Sequence, residues 1–162
     1  MKLRLLLIVL LISIFHTAIF AQVSAGRPKP GTITQVAKFK PPAVKTYLGK
    51  NSDTAQVQLD EATQLVGLPL HVTDAKNNVY TVTSYQFLYK KKSVIENEQT
   101  GKKEIAFTTV SNLFKVTPLP DLWKNNITES LQKDEELYFF DVIVQDKLNR
   151  RFFAPELKIK VK

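Results

Sequence analysis

Few side chains in this 162-residue chain are equipped for bond-making chemistry. There is no cysteine, and of two histidines only His71 lies beyond the apolar N-terminus. A nucleophilic mechanism needs a base beside the nucleophile. His71 is the sole imidazole on offer, in Leu68-Pro-Leu-His-Val-Thr73, and no glycine-flanked serine accompanies it. It reads as a solvent-facing histidine at a sheet end. Zinc asks for histidine or cysteine in number. The acidic groups Asp60-Glu61 and Asp134-Glu135-Glu136 lack calcium-loop spacing, and the second marks a polar turn before a strand. Two carboxylates across a cleft would suit glycoside hydrolysis, but pairs arise by chance among 15 acidic residues. No catalytic residue, cofactor or metal is therefore expected.

The remaining candidate is a surface. Tyr85, Phe87 and Tyr89 form an alternating aromatic row that runs into Lys90-Lys91-Lys92. On an exposed strand edge such a row would recruit a partner strand through unpaired N–H and C=O groups. In a sandwich interior the same rings would be core.

The elements that would position these residues have mostly period two. Leu157, Ile159 and Val161 alternate with Lys158, Lys160 and Lys162, giving a strand with one apolar face. Burying each apolar side chain contributes about 1.5–3 kcal/mol. Glu136 to Gln145 is apolar on both faces and reads as a central strand. Asp146 to Asn149 is a turn and Arg150 to Ala154 a return strand, which with 157–161 makes a C-terminal meander. Asn77-Asn78 closes a hairpin between Leu68–Thr73 and Val79–Tyr89, with a bulge between Val82 and Tyr85. Glu96 to Lys103 turns into a further strand, Glu104 to Val110. One segment departs from this pattern: Asp121 to Gln132, after Pro118 and Pro120, with Leu122, Trp123, Ile127 and Leu131 at near-helical spacing. It reads as a short helix capped by Asp121, with Trp123 plugging the core.

The first 21 residues have the layout of a cleavable signal peptide: Lys2 and Arg4, an apolar run from Leu5, and Ala21 at the cut. An uncleaved anchor is the alternative, at the short limit for a span. Residues 22–38, with Pro28, Pro30 and Gly31, read as a flexible lead-in, and 39–162 as one domain. Without Lys2 and Arg4 the formal charge falls from +8 to +6. Export and the lack of any recognised motif argue against nucleic acid. Asp53-Thr54-Ala55 matches a short O-glycosylation pattern, and Asn126-Ile127-Thr128 an N-glycosylation sequon.

The order of several segments resembles the C-terminal β-sandwich domain of GldM, from the type IX secretion and gliding machinery of Bacteroidetes. The matching pieces are Pro42 to Gly49, Leu65 to Gly67, Tyr80 to Tyr85, Leu131 to Asp141 and Leu157 to Val161. Asp146 to Asn149 replaces a glycine-rich turn usual in that family. The resemblance implies a free-standing, non-catalytic, protein-contacting module, without motor helix or stem. The expected fold is an all-β, immunoglobulin-like antiparallel β-sandwich with one short helix. The expected function is protein interaction, or a structural role, in the periplasm or at the cell surface. The partner would be an envelope protein or a second copy in a homodimer, with no stable membrane span after cleavage. The alternative is binding, or cleavage, of envelope glycans, suggested by the positive charge and the aromatic side chains.

Overall fold

The computed structural model describes residues 38–162, of which 40–162 form one compact unit. The leader expected at 1–21 and nearly all of the lead-in at 22–38 lie outside the described residues. No helix among the described residues is long and apolar enough to cross a membrane.

Among the described residues nine strands and two helices follow in order: β1 Val44–Leu48, β2 Asn51–Ser52, β3 Thr54–Val57, α1 Leu59–Val66, β4 Leu70–Asp74, β5 Val79–Glu96, β6 Lys103–Phe114, α2 Asp121–Ser130, β7 Glu136–Gln145, β8 Arg151–Ala154 and β9 Leu157–Val161. The fold is all-β and sandwich-like. One layer is β2-β1-β4; the other is built on β5, β7, β9 and β3, and the start of β5 bridges the two. Val44, Leu48, Leu70 and Val72 from the first layer meet Phe87, Leu137, Phe139, Leu157 and Ile159 from the second in the core.

The pairing is not purely antiparallel. β3 runs parallel to β9, with Ala55 opposite Ile159. The cause is local. Asp53, at φ 57°, is the single residue between β2 and β3, which sit at opposite ends of the strand order. The chain thus leaves the first layer and joins the far side of the second in one step. The sheet curls almost into a barrel. The C-terminal segments also depart from a meander. β8 pairs with Val142–Gln145 and β9 with Glu136–Phe139, so they lie end to end along one strand, β7. Pro155 interrupts them, and its carbonyl accepts the Thr46 hydroxyl from β1 at 2.6 Å.

Two helices appear where one is expected. Leu59–Val66 buries Ala62, Leu65 and Val66 and packs against α2 and β9. Its first turn carries Asp60 and Glu61, the pair considered for calcium; acidic side chains favour that helix end. Glu61 accepts from Asn51 and pairs with Lys50. The helix α2 occupies its expected place, but Asp121 is its first residue, not its cap. Pro120 precedes it, and Asp121 pairs with Lys124 at 2.8 Å. Trp123 meets Phe87 and Phe114 edge-on at 5.8 and 5.4 Å, while Leu122 faces solvent.

The bulge in β5 is present between Val82 and Gln86. β7 has one too: Asp141, at φ 47°, switches the buried phase from Leu137 and Phe139 to Val142 and Val144. Its opposite face (Tyr138, Phe140, Ile143) is only half-buried, so β7 is not apolar on both sides.

The turn between β4 and β5 is held by Asp74. Its carboxylate accepts the Asn78 side chain, the backbone N–H groups of Asn78 and Lys76, and the Tyr80 hydroxyl. The Asn78 contact leads in holding its pKa down, from 3.8 to about 2. A folded-state value below the ordinary one stabilises the turn above that ordinary value and is lost as pH falls through about 2. Amide exchange at Lys76 and Asn78 is expected to accelerate, relative to the core, as pH drops across that window. Asp74→Asn should remove the pH dependence.

Candidate functional site

The aromatic row Tyr85, Phe87 and Tyr89 is not an edge. β5 lies between β6 and β7 there, with Phe87 opposite both Asn112 and Phe139. The three rings are 1%, 0% and 5% exposed. Phe87 sits 4.9 Å from Phe139, and Tyr85 5.8 Å from Phe114. Burial pushes the Tyr85 hydroxyl up to about 12, with the Thr117 hydroxyl opposing. Thr117 accepts the Leu70 N–H at 2.7 Å, and no well-formed hydrogen bond reaches the Tyr85 oxygen. Lys90 to Lys92 lie within β5, not beside its turn. Lys90 pairs with Glu136 at 3.6 Å and rests 4.6 Å over the Phe107 ring, and Lys92 pairs with Asp134 at 3.0 Å.

Glu135, expected in a polar turn, is fully buried. Its carboxyl accepts the Tyr89 hydroxyl and the N–H groups of Lys92 (2.8 Å) and Gln132 (2.9 Å). Burial and this contact raise the Tyr89 pKa. The residue joins β5, the end of α2 and β7. Its backbone carbonyl also accepts from Val161. This is architecture rather than reactivity. His71 is exposed on β4, opposite Tyr47. No cluster of three metal-ligating side chains occurs among the described residues.

The open edge lies one strand further out. β5 runs seven residues past its expected end and β6 four, so the hairpin is longer than its periodicity suggests. Pairing of β5 with β7 stops at Lys90. Beyond it, Lys91–Glu96 and Lys103–Thr108 pair only with each other among the described residues. Among the described residues β6 has no strand partner on its other side. The Lys92 N–H points away from β6, to Glu135. Antiparallel alternation therefore turns the N–H and C=O groups of its partner Phe107, and of Ile105, Thr109, Ser111 and Leu113, to the open side. Ile105, Phe107 and Leu113 are 63%, 44% and 54% exposed on one face of that strand. Val94 lies opposite Ile105 on the same face. A long edge with exposed apolar side chains is the arrangement that natural sheets usually blunt.

Periodicity alone did not separate β6 from β5, because both alternate. The signal that distinguishes them is composition. Thr108, Thr109, Ser111 and Asn112 make both faces of β6 polar, and Asn112 lies opposite the buried Phe87 ring of β5. The sequence matches no protein-family model and no curated protein.

Proposed function

We propose that this protein is a non-catalytic binding module that captures a protein segment by strand addition to the open edge of β6, in the periplasm or at the cell surface. The carrying observation is a twelve-residue edge that pairs with no further strand among the described residues, with Ile105, Phe107 and Leu113 exposed beside it. Main-chain hydrogen bonds to the outward groups would supply affinity, and pockets between these side chains would supply selectivity. The leader-like N-terminus and the ordered resemblance of residues 39–161 to a protein-contacting module support the same reading.

Thr109→Pro tests it. The lost N–H is an outward one, and proline is tolerated on edge strands. The variant is expected to keep the β-rich circular dichroism spectrum while losing capture of envelope proteins in crosslinking pull-downs. Thr108→Pro removes an inward ladder bond instead and should loosen the hairpin itself. Undiminished capture by Thr109→Pro would move the interface elsewhere.

A further inference from the structure

The opposite end of the second layer carries a cleft of about 460 Å³, lined by Thr83, Ser84, Lys115, Ile143, Arg151 and Phe153 among others. It exists because the β5 bulge between Val82 and Gln86 and the β7 bulge at Asp141 distort one stretch of sheet. Antiparallel partners share a face, so Ser84 beside Ile143, Ile143 beside Phe153 and Gln145 beside Arg151 all project from one side. That side is the outer one, since Val142 and Val144 between them are buried. The volume lies in the range of small-ligand sites.

Its chemistry is selective. Arg151 donates through Nε to Gln145 at 3.3 Å, and neither it nor Lys115 is paired with a carboxylate among the described residues. The Thr83 hydroxyl is taken up by the Ile143 carbonyl at 3.1 Å, whereas the Ser84 hydroxyl makes no hydrogen bond among the described residues. Phe153 is 69% exposed at the rim. Two cations, a free hydroxyl and an accessible ring suit a carboxylate carried on a pyranose: the guanidinium fork grips the carboxylate, the hydroxyl meets a sugar hydroxyl, and the ring covers an apolar sugar face. A peptide strand would want open backbone groups. Here β7 is paired on both sides, by β5 and by β8, and the outer edge of β8 offers only the four residues Arg151–Ala154.

We propose that this cleft binds a uronic-acid unit of an acidic polysaccharide, at a site that adjoins the C-terminal end of β6 at Lys115 but does not use its edge. The test is titration of the purified full chain with trigalacturonate at fixed ionic strength, alongside neutral galactotriose, inorganic phosphate and oligoglutamate. Trigalacturonate is expected to bind and the neutral trisaccharide not. Lys115→Ala/Arg151→Ala should weaken it roughly tenfold to a hundredfold, by loss of hydrogen bonds to a charged group. Phe153→Ala should weaken it about fivefold. Lys102→Ala/Lys103→Ala removes the same charge from the hairpin tip and should leave affinity unchanged, as should Thr109→Pro. The proposal is overturned by absence of trigalacturonate binding, by equal losses in both double variants, or by phosphate or oligoglutamate binding as tightly.

Discussion

Glu135→Ala is expected to destabilise the domain by about 4 kcal/mol, because it orphans three donors at once. The Tyr89 hydroxyl is buried, so water reaches it least. The Lys92 and Gln132 N–H groups are partly buried and lose less. Against a total stability of about 5–15 kcal/mol for a domain of this size, the change would move the urea midpoint far to the left. Tyr89→Phe removes one donor and leaves the other two bonds, so it should cost about 1 kcal/mol. Glu135→Gln keeps the volume and one acceptor oxygen and should fall between. A double-mutant cycle on Tyr89 and Glu135 isolates their coupling. A Glu135→Ala midpoint indistinguishable from the parent would mean that the carboxyl does not join β5, α2 and β7.

Phe87→Ala is expected to cost about 3–5 kcal/mol, whereas Phe107→Ala should leave stability within about 0.5 kcal/mol. Both rings belong to the same hairpin and both follow period two. Phe87 is fully buried, against Phe139 at 4.9 Å and Trp123 at 5.8 Å. Its loss leaves a cavity that neighbouring rings fill only in part. Phe107 is 44% exposed, with the Lys90 ammonium 4.6 Å over its ring. Deleting it should instead weaken partner capture at the β6 edge. Chemical denaturation of the two variants, with pull-down of the second, separates core from contact surface. Equal destabilisation would show that the hairpin arm is packed against something in solution.

The consequence for function is a division of the second layer. Its middle, from Tyr85 to Tyr89 and Leu137 to Phe139, is given to stability. The two proposed recognition surfaces lie at its margins, along the edge of β6, which has no strand neighbour among the described residues, and at the cleft beside the bulges.

The sequence by itself determined what is local. Alternation marks β9 and most of β5. Asn77, Asn149 and Gly101, at φ 60°, 61° and 65°, take up the positive φ of turns whose places are legible from residue type. Proline followed by helical spacing located α2. The short helix α1 carries a helical spacing too, at Leu59, Ala62, Leu65 and Val66, but its eight residues fall short of the window over which that spacing becomes distinctive. The tertiary structure decided everything that depends on which strand lies beside which. It set β3 parallel to β9, buried the Tyr85 row between β6 and β7, moved the free edge to β6, and enclosed Glu135. Backbone period reports which face of a strand is apolar. The neighbour that covers that face, or leaves it open, comes from pairing between distant residues, and that pairing leaves no local mark.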